Sequence, residues 1–219
     1  MSGSAAPLSA TRLGRLAQRG GGGEPPERCE LCGEVIAPEH RHLLDTERRE
    51  LMCACRACSL LFADPAASRG RYKLVGDRRL RIEDLQLDDL TWEELRLPVD
   101  MAFFFHRSAA GRVEAFYPSP MGATESLLGL DAWAALEDAN PVLRTLEPDT
   151  EALLVNRVRG ARQHWIVPID ECYALIGLIR TRWRGLTGGA DVWRAIAEFF
   201  EELDRRARPA SRNDGDRSP

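Results

Sequence analysis

Cys29-Glu30-Leu31-Cys32-Gly33 and Cys55-Arg56-Ala57-Cys58 form two Cys-x-x-Cys turns, with the twenty-two residues 33 to 54 between them. Thiols three positions apart can reach one ion from a single tight turn, and a second such turn completes a tetrahedron of sulfurs about 2.3 Å from a zinc. Gly33 lets the first turn take a positive φ and aim backbone amides at the sulfurs, whereas Ser59 stands at the matching place after the second. The spacing therefore names Cys29, Cys32, Cys55 and Cys58 as metal ligands. Cys53 is the alternative ligand, because on a strand it would share the face of Cys55. A pair of disulfides is the competing account. It is disfavoured because no secretory h-region follows Met1 and Cys-x-x-Cys turns are poor disulfide geometry beside a metal option. His40 and His42 read as solvated turn residues at the far end of the module, since four sulfurs already saturate a structural site.

Something must hold the two turns face to face. Val35-Ile36, His42-Leu43-Leu44 and Glu50-Leu51-Met52 read as short strands joined by the polar turn Asp45-Thr46-Glu47-Arg48, a pattern that resembles a zinc ribbon. Zinc is expected over iron. A rubredoxin-like Fe(Cys)4 site, the alternative, would call for glycine after both turns and aromatic residues packed at the site. Around the module, 219 residues at 44% hydrophobic and 29% charged allow one further domain of moderate size. The formal net charge of -4 asks for neither a nucleic acid nor an anionic membrane, and no apolar run approaches the roughly 20 residues that span a bilayer. A reducing cytoplasm is the expected compartment for thiols arranged around a metal.

The pattern predicts an α+β chain: a disordered leader over 1–27, a zinc-ribbon-like module over 28–65, an antiparallel-sheet body with packed helices over 66–207, and a disordered tail over 208–219. Tyr72 to Val75 and Arg79 to Ile82 read as two short strands around Gly76-Asp77, and Thr91-Trp92-Glu93-Glu94 has the spacing of a capping box. Hairpins are expected over Val99 to Tyr117 and Glu151 to Ile169, and the proline-rich stretch 117–126 as an ordered loop. Helices are expected over Leu130 to Asn140, from a cap at Asp170 to Trp183, and from Ala190 to Arg206. Between the last two lies Arg180-Thr181-Arg182-Trp183-Arg184-Gly185-Leu186-Thr187-Gly188-Gly189. Its three arginines could hold a phosphate or grip the carboxylates of a partner; the plain alternative is a helix end whose cations suit the dipole. No nucleophile with a neighbouring base can be named, so no catalytic residue and no organic cofactor are assigned.

Cys29-x-x-Cys32-Gly33, the stretch from Tyr117-Pro118-Ser119-Pro120 to Thr124-Glu125-Ser126, and the run from Cys172 to Phe200 together resemble an actinobacterial family of unknown function (DUF5947-like) encoded beside nickel-iron hydrogenase genes. The resemblance covers nearly everything but the two tails. It implies an accessory role in assembly or maturation of the hydrogenase, with a hydrogenase subunit as protein partner and Arg180, Arg182 and Arg184 as the candidate partner surface. A small redox or metal-handling protein is the other function class left open.

Overall fold

The computed structural model describes residues 26–126, 130–185, 187–211 and 214. The chain divides into two compact units, one ending at Val75 and one beginning at Gly76.

In the first unit β1 (Arg41–Asp45) and β2 (Glu50–Ala54) form an antiparallel hairpin in which His42 faces Cys53 and Leu43 faces Met52. Asp45 closes it: its buried carboxylate accepts the amides of Glu47 and Arg48 and the Arg71 guanidinium, which holds it below the usual carboxylate range against the opposing effect of burial. Helix α1 (Arg56–Ala63) follows, then the single turn α2 (Pro65–Ser68), and then β3 (Tyr72–Leu74), which pairs with the free side of β1. This third strand carries the unit to Val75, past the boundary expected at residue 65. Val35 makes only an isolated bridge to Arg28, so the first expected strand is reduced to that contact.

The second unit is a seven-stranded sheet in the order β10-β4-β9-β8-β5-β6-β7. Its elements in chain order are β4 (Leu80–Arg81), α3 (Asp89–Glu94), β5 (Met101–Arg107), β6 (Arg112–Ser119), β7 (Gly122–Ser126) and α4 (Leu130–Ala139). They continue with β8 (Glu151–Asn156), β9 (Gln163–Pro168), α5 (Ile169–Arg182), α6 (Gly189–Arg206) and β10 (Arg208–Pro209). Period-2 alternation sorts the strands onto two apolar faces. Phe104, Leu153, Val155 and Ile166 pack with Trp92, Trp133 and Leu136 on one side. On the other, Trp165 stacks on Phe200 of α6 and Phe103 meets Tyr173 of α5 edge-on. Buried Glu171 ties three elements together, accepting from Arg79 beside β4 and from Arg206 at the end of α6.

The fold is α+β, as the pattern implies, and the two short strands expected around Gly76-Asp77 are both present, Tyr72–Leu74 in the first sheet and Leu80–Arg81 in the second. Several elements differ from expectation. Residues 117–126 are not a loop but the close of one strand and the next. Pro118 is tolerated because it lies past the last β5–β6 pair, Phe103 with Phe116, where no ladder amide is required. Ser119 then pins the hairpin tip, accepting from the Met121 amide and donating to the Gly122 carbonyl. Asp88, rather than Thr91, caps α3, its carboxylate accepting the Thr91 amide. Helix α5 starts at Ile169 on Pro168, with Asp170 inside the first turn rather than at the cap. The tail expected to be disordered from residue 208 instead begins with β10, which runs parallel to β4. Asp214 anchors it by accepting from Arg208 at 2.8 and 2.9 Å and from the Ser211 amide and hydroxyl. Residues 1–25 of the leader expected over 1–27, and residues 212, 213 and 215–219 of the tail, lie outside the described residues.

His164 on β9 is buried, and among the described residues neither ring nitrogen meets the geometry of a hydrogen bond. Burial, helped by Arg157 and Arg162 and opposed by the nearby backbone of Ile82, lowers its pKa from 6.5 to about 4. The neutral ring is the folded form, so the stabilisation is complete above the unfolded value and is lost as pH falls through the folded one. Melts of wild type and His164→Leu between neutral pH and pH 4 should diverge in favour of the variant by up to about 3 kcal/mol, at 1.36 kcal/mol per pKa unit. Parallel pH profiles would exclude this role for His164.

Candidate metal centre

The first Cys-x-x-Cys turn is built by backbone bonds that leave the sulfurs turned to a common point. The Cys29 amide donates to the Glu34 carbonyl at 2.7 Å, and the Gly33 amide donates to the Cys29 carbonyl at 2.8 Å. Gly33 sits at φ 80°, the left-handed region a Cβ would strain. Glu30 fastens this turn to the second strand, with its amide on the Cys53 carbonyl and its carboxylate accepting the Cys53 amide, both at 2.9 Å.

The second turn is made differently. Cys55 is the N-cap of α1, and its Sγ accepts the Cys58 amide at 3.4 Å while its carbonyl accepts the Ser59 amide. The Cys-x-x-Cys spacing is thus the first turn of a helix, which needs no positive φ after it and explains why serine serves at position 59. The helix N-terminus also directs its partial positive charge at the sulfurs.

Cys29, Cys32, Cys55 and Cys58 come together with all four sulfurs within 4.8 Å of one another. The Cys32 and Cys55 sulfurs are 3.7 Å apart, too far for a disulfide and near the edge, about 3.8 Å, of a tetrahedron with 2.3 Å zinc–sulfur bonds. Cys29 and Cys58 are buried while Cys32 is exposed, so the centre lies at the module's surface. The thiols divide in acidity. Burial pushes Cys29 up, but the amides of Cys55, Cys32 and Leu31 outweigh it and bring the thiol to about 6. Burial and the three neighbouring sulfurs push Cys58 well above the ordinary thiol range. Cys29 therefore gives up its proton readily while Cys58 holds on to its own, as expected of a donor set that is fully deprotonated only when a cation joins it. The four close cysteines could hold a metal ion, and thiolates suit zinc or iron equally.

Cys53 falls elsewhere. On β2 it faces His42, and with His40 and His42 it forms a second group whose donor atoms also lie within 4.8 Å of one another. His40 is not the solvated turn residue expected, because its side chain is 3% exposed and its Nδ1 is 2.9 Å from the Ala37 carbonyl. The grouping depends on strand register, which spacing alone does not reveal; only the alternation of His40, His42 and Cys53 with apolar Leu43 and Ala54 hinted at it.

The arginine run ends α5. Trp183 caps the helix by donating to the Ile179 carbonyl, and the Arg184 guanidinium folds back onto the Thr181 and Trp183 carbonyls at 3.1 and 3.0 Å. Gly188 is required in this turn: a Cβ there would meet Val192 Cγ1 at 2.8 Å. Arg182 is exposed, and among the described residues neither it nor Arg180 makes an ion pair. The Arg180 stem passes close to the hairpin tip, 3.9 Å from where a Cβ on Gly122 would sit, next to Met121, which is 90% exposed.

No helix among the described residues is long and apolar enough to cross a membrane. The family model described as "Family of unknown function (DUF5947)" matches residues 28–207. Neither a curated protein nor a solved structure matches the chain.

Proposed function

This chain belongs to the DUF5947 family of unknown function, and on that footing we propose that it is a non-catalytic, zinc-stabilised accessory protein that works by binding a protein partner. Four thiolates close a tetrahedral zinc and leave no position for a substrate, so the ion's work is to hold the module in shape. The observation that carries the binding reading is the closeness of the half-buried Arg180 stem to the hairpin tip that carries exposed Met121, with exposed Arg182 two residues on in the same helix. Guanidinium groups stay charged at any working pH and take carboxylates in a fork, while the thioether offers an adaptable apolar contact. A partner that presents carboxylates around an apolar patch fits this surface. The resemblance supplies the candidate, a nickel-iron hydrogenase subunit met in the cytoplasm during assembly or maturation.

Replacing Arg180, Arg182 and Arg184 together with Ala should weaken capture of that subunit about tenfold, from exposed charge pairs each contributing up to about 1 kcal/mol. Capture by the wild type should also fall as salt rises, because such pairs are screened within about 8 Å at physiological ionic strength. A pull-down from a native host at low and high salt measures both. Equal recovery by the triple variant would reduce the cluster to a capped helix end, and absence of any hydrogenase component with wild type would remove the maturation role.

A rubredoxin-like redox or metal-handling protein is the second reading, favoured by Phe62 and Tyr72 packing against the cysteine cluster. The visible spectrum of freshly purified protein separates the two, since Fe(Cys)4 absorbs in the visible and zinc does not.

A further inference from the structure

The first unit holds a second set of metal donors that the four-sulfur centre does not use. His42 and Cys53 are directly paired across β1 and β2, and His40, two residues before His42, shares their face. One ring nitrogen from each histidine and the Cys53 sulfur all lie within 4.8 Å of one another. A tetrahedral zinc with bonds of about 2.0–2.3 Å sets its ligands about 3.3–3.8 Å apart, so contraction by side-chain torsion of at most roughly 1–1.5 Å closes the group on an ion.

His40 supplies the independent sign that an ion belongs here. Its side chain is 3% exposed, its Nδ1 is held 2.9 Å from the Ala37 carbonyl and 3.5 Å from the Glu27 carboxylate, and its buried Nε2 has no hydrogen-bond partner among the described residues. With Nδ1–H donating to a carbonyl, the tautomer is set and the lone pair rests on Nε2. Metal-ligating histidines are oriented by outer bonds of this kind. A buried nitrogen left without a partner keeps the cost of its lost hydration, a cost that coordination removes.

We propose that His40, His42 and Cys53 form a second metal site for a first-row divalent ion of the zinc class. Two imidazoles and one thiolate are borderline donors that suit such an ion. Three protein ligands leave the fourth position to water or an incoming donor, so this ion exchanges while the four-sulfur ion stays. The inference stands apart from the accessory role and from the identity of the ion at the cysteine centre.

Zinc is the probe. The full chain, stripped and reloaded with excess zinc and then desalted, should hold two equivalents, and a graded chelator challenge should remove one well before the other. His40→Gln, His42→Gln and Cys53→Ser should each hold one equivalent and keep the protease resistance of residues 26–75. Cobalt loading reads the sites separately: the first equivalent should give the sulfur charge-transfer bands of a four-thiolate ion and the second a weaker d–d spectrum, which the His40→Gln variant lacks. A wild type that saturates at one equivalent overturns the proposal. So does a His40→Gln or His42→Gln variant that still holds two. If Cys53→Ser loses all metal and its order, Cys53 serves the four-sulfur ion instead and the second site does not exist.

Discussion

Cys29→Ser and Cys58→Ser should each release the ion of the four-sulfur centre and, with it, the order of residues 26–75, while residues 76–211 keep their fold. The reason is the size of the module's core. Its buried apolar cluster is Cys29, Ile36, Leu43, Ala54 and Cys58, so two of the five members are ligands themselves. What remains buries far too little to offset a backbone cost of about 1–2 kcal/mol per ordered residue. An ion contributing about 10–16 kcal/mol makes up the difference, and in a centre of this kind binding free energy is folding free energy. Serine keeps the shape of the side chain but is a poor zinc ligand. Metal content by mass spectrometry together with limited proteolysis reports the outcome. If both variants keep stoichiometric metal and native resistance to protease, the four-thiolate assignment is wrong.

The weak point of the second unit is of a different kind. Trp165 is fully buried at the centre of β9, stacks on Phe200 with ring centroids 5.3 Å apart, and donates from Nε1 to Asp204 at 3.3 Å. Trp165→Ala removes both the stack on Phe200 and the bond to Asp204 that join the sheet to α6, and leaves a cavity between them. Truncations of this kind cost about 3–5 kcal/mol, which in a unit of this size lowers Tm by roughly 10–15 °C. Trp165→Phe keeps the stack and should lose less than half as much. The loss should appear in thermal melts with the metal content unchanged. A drop of under about 1 kcal/mol for Trp165→Ala would mean that α6 is held by other contacts, such as the pairing of Arg206 with Glu171.

The parts of the fold legible in the sequence were those set by local pattern. The near-continuous apolar runs through Met101–Arg107 and Glu151–Asn156 specified strands buried on both faces, and the 3.6-residue stripe of Val192, Ile196 and Phe200 specified α6. The four cysteines could be grouped because each turn is closed within four residues. Pairings at long range were hidden. Tyr72–Leu74 and Leu80–Arg81 look alike as short strands, and only the β1 edge, which accepts the first and not the second, separates them. The grouping of His40, His42 and Cys53 needs the hairpin register, which the turn at Asp45 sets through its carboxylate rather than through a glycine signal. Residues 208–214 carry the polar composition of a disordered tail, yet Arg208, Ser211 and Asp214 satisfy one another once folded, and composition does not register mutual satisfaction.

The last strand also bears on whether these molecules stay apart at high concentration. Arg208 and Ala210 donate their amides inward, to the Arg79 and Arg81 carbonyls of the β4 edge. The residue between them, whose N–H would point away from the sheet, is Pro209 and has none. A strand from a neighbouring molecule that tried to extend the sheet would find no donor at the middle of β10 and an arginine beside it. Exposed strand edges are where sheets propagate into aggregates, and a short, charged, proline-bearing strand is a means of stopping that. What reads as a ragged polar end therefore gives the sheet a terminus that resists polymerisation.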